Sequence, residues 1–250
     1  MDTDQQFQCF LIGAYQCAKS KDLLMEADRV PSHSSHIATP RRAKWYYGSP
    51  LAVQTAIDAL MEKPKAVRRK DGKIHYRKPR SDYRGLLACV ASYPVAVETL
   101  LRVPREELKV LQAWVSDVDE FVTKEFGDAY VGAVIHRDEA FPHIHYYAVG
   151  PLTQLHPGLR AELNNGCRID DNQERMRRYK KAMSEFLDRF HTQVSAKYGH
   201  ARKGNRRSAP RIHDRKTWMV QKEAEKLFRE LGDADAEARA RNIFVSCDSR

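Results

Sequence analysis

The chain has 250 residues, with 43 Lys+Arg against 33 Asp+Glu, a formal net charge of +10. Its 42% hydrophobic residues suffice for one large domain or a domain with an appendage, while 30% charged residues leave no apolar run near a membrane span. The polar opening at 1–6 has no basic n-region, and the five cysteines are scattered without a C-x-x-C pair. A signal peptide, a membrane segment, a disulfide framework and a thiolate zinc site are therefore not expected. The expectation is a cytoplasmic protein with a polyanionic partner.

Residues 7–16 mix aromatic, β-favouring and small side chains and predict a first strand, and Leu23, Leu24 and Ala27 predict a short helix after it. Residues 31–50, rich in His, Ser, Arg and aromatics, read as loop. Helical spacing returns over 51–61. From Lys63 to Arg84 ten basic residues face two acids, Asp71 and Asp82, and the interruptions Pro64, Gly72 and Pro79 predict loops or arms rather than a helix face. The apolar run ending at Tyr93-Pro94 predicts a buried strand. Leu108, Leu111, Val115, Val118, Val122 and Phe126, three and four apart behind Pro104, predict an amphipathic helix over 105–126. Residues 130–136 and 143–149 predict a β-hairpin. Asp170 or Asp171 is positioned to cap a long helix reaching about Tyr198. A second basic cluster at 197–216 sets eight Lys/Arg against Asp214, and a last amphipathic helix is predicted over 218–231. The fold class is α+β: a central, mostly antiparallel sheet with flanking helices and a helical C-terminal third.

Two basic clusters suit phosphate contacts, because each Lys or Arg that neutralises a phosphate releases counterions. The candidate DNA contacts are Arg68, Arg69, Lys70, Arg77 and Lys78 in the first cluster and Arg206 and Arg207 in the second. Arg41, Arg42 and Lys44 stand beside Trp45, Tyr46 and Tyr47, aromatics that either pack in the core or stack unpaired bases.

The hairpin reads His136-Arg137-Asp138-Glu139-Ala140-Phe141-Pro142-His143-Ile144-His145. Alternate residues of a strand share a face about 7 Å apart, so His143 and His145 point one way and Ile144 points into the core. The loop returns His136 beside His143 across the ladder, giving three imidazoles on one patch. Three His ligands leave coordination positions open, as in catalytic metal sites, and imidazole suits Mn²⁺, Zn²⁺, Co²⁺ or Ni²⁺ more than Mg²⁺. Asp138 and Glu139 are close enough to orient an imidazole or hold a water.

The pattern His-x-Asp-Glu-x-x-Pro-His-x-His, filled by His136, Asp138, Glu139, Pro142, His143 and His145, resembles the third motif of the plasmid mobilisation relaxases of the Mob/Pre (MobV) type. These are HUH endonucleases, named for a strand such as His143-Ile144-His145. The resemblance extends loosely over 7–216 and implies an HUH relaxase-like domain at 1–205 followed by a basic segment and helix at 206–250. It implies a metal-dependent DNA strand transferase that nicks one strand at a plasmid origin of transfer, keeps the 5′ phosphate covalently, and commonly uses Mn²⁺ or Mg²⁺. Its partner is single-stranded or hairpin origin DNA, with a dimer or accessory transfer proteins as further partners.

The attacking residue is the open point. The family's N-terminal His-Asn-x-Arg and its Asn-Tyr segment are absent as written, and the corresponding stretch offers His36, His33, Tyr46 and Tyr47, in that order. A further alignment puts the nucleophile's position near 27–29, where no histidine stands. Glu139 completes the candidate catalytic set. Two other readings compete with the relaxase: a metal-dependent hydrolase of a small substrate, and a non-catalytic HUH-type DNA-binding protein.

Overall fold

A strand covered on both faces needs apolar residues of both parities, and the strand ending at Ser92 supplies them. Leu86, Leu87, Cys89 and Ala91 are all fully buried. In the computed structural model, which describes residues 6–37, 39–68 and 72–202, this strand sits second in a five-stranded sheet. The sheet begins with β1 (Cys9–Gln16), and α1 (Ser20–Ala27), β2 (Lys44–Gly48) and α2 (Pro50–Glu62) follow. Next come the ribbon β3 (Lys65–Arg68) and β4 (Ile74–Arg77), then β5 (Arg84–Ser92). A short α3 (Val97–Leu100) leads into α4 (Arg105–Phe126), β6 (Tyr130–His136) and β7 (His143–Val149). Two one-turn helices, α5 (Leu152–Leu155) and α6 (Pro157–Ala161), precede the small ladder β8 (Leu163–Asn164) with β9 (Cys167–Arg168), and α7 (Asn172–Gln193) closes the series. The sheet order is β1-β5-β7-β6-β2 and every neighbouring pair is antiparallel.

Side-chain parity sorts these strands into two faces. On one, Phe10, Leu87, Cys89, Ile144 and Tyr146 pack under α4 and α7, through Trp114, Val118 and Phe121 of the first and Phe186 and Phe190 of the second. Phe10 stands 4.7 Å from Phe190 and 5.3 Å from Phe186, centroid to centroid, so this face is an aromatic cluster of tilted and edge-on contacts. On the other face Leu86, Ala88, Val134 and Tyr147 lie under Leu24 and Ala27 of α1 and Val53 and Ile57 of α2. A side chain on Gly132 would meet Val53 and Trp45, so the bare glycine lets α2 and β2 close on β6. The α1–α2 cover stops short of the sheet's end, and that end carries the histidines.

The periodic segments agree with the expected elements, and the capping chemistry shows why: the Ser49 hydroxyl accepts from the Ala52 N–H ahead of α2, and the Asp171 carboxylate accepts from the Gln173 N–H ahead of α7. Three expectations need correction. The 63–84 arm contains the antiparallel ribbon β3–β4, with Lys65 opposite Arg77 and Arg68 opposite Ile74, because Ala66, Val67, Ile74 and Tyr76 give it enough β character to pair around Gly72. Within the loop expected over 31–50, Lys44–Gly48 forms the edge strand β2, held by Trp45 and Tyr47 against β6. The last long helix ends at Gln193, and a 3₁₀ turn, Ser195–Tyr198, completes the path. Arg69, Lys70, Arg206, Arg207 and the helix expected over 218–231 lie outside the described residues.

Candidate metal centre and nucleic-acid interface

Register places the three histidines. His136 pairs with His143 across β6–β7, and His145 lies between Val90 and Val134, so all three imidazoles share the half-covered face. Their ring centroids are 4.8 to 5.2 Å apart, and one potential ligand atom from each lies within 4.8 Å of the others. Among the described residues this is the one such group.

The protons of two of these rings are fixed by carbonyls. His136 Nε2–H donates to the Ala27 oxygen at 2.7 Å, and His143 Nδ1–H donates to the Phe141 oxygen at 3.0 Å. Each ring is thereby left with one bare nitrogen, His136 Nδ1 and His143 Nε2, and these face each other at 3.3 Å. Two nitrogens bound about 2.0–2.1 Å from one tetrahedral ion stand roughly 3.3 Å apart, so the pair fits a divalent cation. Burial lowers the His136 imidazole to about 4, only partly opposed by its bond to Ala27. Burial, with His136 and His143 nearby, also holds His145 well below the usual histidine range. Both rings are neutral at pH 7, the form a metal requires.

Four consecutive residues wall this centre. Glu26 Oε1 is 3.6 Å from His36 Nε2. Ala27 holds His136. Asp28 accepts the Trp45 indole N–H at 2.9 Å. Arg29, its side chain almost wholly buried, makes a two-pronged pair with Asp138 at 2.9 and 3.0 Å and reaches Glu139 at 2.7 Å. Burial works to raise the Asp138 carboxyl, but Arg29 and the Arg41 backbone N–H outweigh it and hold the group below the usual range. Arg29 has φ of 60°, a left-handed conformation that costs a non-glycine residue about 1–2 kcal/mol. The turn that ends α1 is thus held by the pairs it makes across the site.

A cavity of about 340 Å³ opens over the histidines and is lined also by Tyr15, Glu26, His36 and Glu139. Of the expected attacking residues, the structure brings His36 here, half-exposed at the mouth. His33 turns away, with its Nε2 3.6 Å from Asp22 and its Nδ1 on Ser32. Tyr46 keeps company with Tyr130 and Tyr146, residues of the aromatic face, where burial raises its hydroxyl pKa, and Tyr47 donates to the Tyr130 carbonyl at 3.3 Å. Glu139 Oε1 stands 3.5 Å from the bare His143 Nε2, positioned to hold a water or join the coordination sphere. Arg42, Lys44 and Trp45 line a hollow beside Asp28, and Arg41 with Arg137 lines another beyond Glu139. Trp45 stacks on Tyr147 at 5.6 Å, and Tyr147 lies parallel to His145 at 6.4 Å. Arg77 projects from the exposed strand β4, Lys78 pairs with Glu62, and Arg68 takes its place in β3. Sequence reasoning missed Tyr15 and Glu26. Gly13, whose absent side chain leaves room for the Tyr15 ring to lie back along β1, is a signal for the first. The sequence carries none for the second.

Residues 105–222 match the sequence profile of Mob_Pre, described as plasmid recombination enzyme. The match spans a little under half of the chain. It covers α4, the whole histidine hairpin and α7. No protein of curated function matches the chain by sequence. Among solved structures this chain is similar to the MobM relaxase domain (MOBV) bound to plasmid pMV158 oriT DNA with Mn, at 11% identity and a TM-score of 0.48, over 87% of this chain and 100% of that one. A second Mn-bound MobM complex with oriT DNA shows 13% identity and a TM-score of 0.46, over 86% and 99%.

Proposed function

We propose that this chain is a metal-dependent DNA strand transferase, a relaxase that nicks one strand at a plasmid origin of transfer and keeps the 5′ phosphate covalently. The observation that carries the reading is the pair of bare imidazole nitrogens 3.3 Å apart, beside His145, at the floor of an open cavity in the segment that matches a plasmid recombination family. His136, His143 and His145 would hold the ion, Mn²⁺ first among candidates, and when bound it supplies Lewis-acid polarisation of the scissile phosphate.

The chain's own groups do the rest. Arg41, Arg42 and Lys44 flank the cavity as phosphate contacts, and Trp45 presents an aromatic face to an unpaired base. Glu139, anchored by Arg29, orients a water or the ion's free side. His36 attacks phosphorus, since an imidazole nitrogen needs no prior loss of a high-pKa proton. Residues 1–205 form the catalytic domain in this reading, and 206–250 a basic appendage. The location is the cytoplasm, where plasmid DNA resides.

The test is adduct formation. Full-length protein with Mn²⁺ and a randomised single-stranded oligonucleotide pool is expected to give a covalent protein-DNA species, acid-labile and mapping to His36. DNA binding without any adduct overturns strand transfer in favour of a non-catalytic HUH protein. Free cleaved ends with no covalent stage indicate hydrolysis.

A further inference from the structure

An imidazole that attacks phosphorus must present one bare nitrogen to the phosphate, and its other nitrogen carries the proton. Which nitrogen is bare depends on what the ring faces on its far side. His36 lies in a turn anchored by the buried Ser34 and Ile37, whose backbones are joined by a 3.0 Å hydrogen bond. Its Nε2 faces Glu26 Oε1 at 3.6 Å, and both side chains are about half exposed at the same cavity mouth. Glu26 is not an ordinary surface acid. Its own carbonyl accepts from the Arg29 N–H at 3.0 Å, the next carbonyl holds His136, and Arg29 is pinned to Asp138 and Glu139, so its backbone is fixed relative to the metal centre.

Resting on the strand-transfer reading, we propose that Glu26 is the positioning residue for His36: it takes the Nε2–H, so that Nδ1 is the attacking atom. In the forward step the Nδ1–P bond forms and the P–O3′ bond breaks, its electron pair leaving with O3′. The proton released from Nε2 passes to the Glu26 carboxylate and through solvent to O3′, giving a neutral phosphorylated imidazole and a 3′ hydroxyl. The reverse step returns the proton along the same route. The carboxylate also offsets the positive charge that builds on the ring as the N–P bond forms.

The test uses inorganic phosphoramidate, a small phosphoryl donor, on the full chain without DNA or metal, and reads which phosphohistidine isomer forms at His36. Free imidazole favours the Nε2 isomer. Wild type is expected to give mainly the Nδ1 isomer, and Glu26→Ala to shift the isomer ratio toward Nε2 by about 10-fold or more, as removal of an outer orienting group does elsewhere. Glu26→Gln, whose amide oxygen still accepts, is expected to retain the Nδ1 isomer. A wild-type Nε2 product, an unmodified His36, an unchanged ratio in Glu26→Ala or a Gln variant that behaves like Ala each overturns the assignment. Because the probe contains neither DNA nor Mn²⁺, this outcome is independent of the adduct experiment. With DNA, Glu26→Ala is expected to slow adduct formation by about 10-fold at unchanged oligonucleotide affinity, whereas an acid-stable adduct on Tyr15 or a hydroxylamine-sensitive one on Glu26 overturns both assignments of role.

Discussion

The two faces of the sheet are built from the same strands and do opposite work. Under α4 and α7 the inward positions of the strands are apolar, and aromatic rings fill the space. Under α1 and α2 the same strands present Leu86, Ala88 and Tyr147 at one end and three histidines at the other, where the cover is a turn of charged residues. The first face carries stability without chemistry. On the second, polar groups are held by one another, through Ala27 to His136, Arg29 to Asp138 and Asp28 to Trp45, so that order there depends on completed pairs rather than on packing density.

The sharpest break of this contrast pairs Phe121→Ala with Arg29→Ala. Each is expected to cost about 3–5 kcal/mol, the first by opening a cavity among Phe10, Phe186 and Phe190. The second does so by leaving the Asp138 carboxylate buried without its partner. Chemical denaturation should show similar losses, while Mn²⁺ titration separates them: affinity survives Phe121→Ala and falls in Arg29→Ala. Equal metal affinity in both would mean that the wall does not order the centre.

Smaller in energy is His143→Ala, which removes a ligand and adds no buried charge. Calorimetry is expected to show Mn²⁺ affinity reduced by about 10-fold or more, with the metal-free protein's stability little changed. The smallest effect concerns the flanking cations. Replacing Arg41, Arg42 and Lys44 by Ala should reduce the slope of log K against log[salt] for a single-stranded oligonucleotide by about 2 to 3 units, since each phosphate contact contributes roughly 0.7–0.9. An unaltered slope would move the interface to the β3–β4 ribbon or the second basic cluster.

What could be read from the sequence follows the reach of each interaction. Strand parity around His143, Ile144 and His145 and the three- and four-residue spacing of α4 are local, and the fold class, the hairpin and the gathering of three histidines were legible from them. The ribbon β3–β4 and the edge strand β2 were not, because Lys and Arg at high density mask the β-favouring Val67, Ile74, Tyr76 and Trp45 between them. The wall was the least legible part. Glu26, Asp28 and Arg29 look like any polar helix end, and only contacts to residues far along the chain give them a role. The candidate nucleophiles were sought by residue type over 33–47, and the structure narrows that stretch to His36 at the cavity while adding Tyr15 and Glu26 from an earlier one.

His136 and His143 meet across 7 residues of chain, whereas Arg29 and Asp138 meet across 109. The additional chain entropy of closing the longer loop is only about 2 kcal/mol, so the distance is a matter of timing more than of cost. During synthesis the turn at Arg29 leaves the ribosome well before its carboxylate partners exist. Its left-handed backbone has only the local bonds of the helix end, Arg29 N–H to the Glu26 carbonyl and Val30 N–H to the Met25 carbonyl, until residue 138 arrives. The wall of the metal centre is therefore made well before the hairpin it pairs with and is among the last parts to be set.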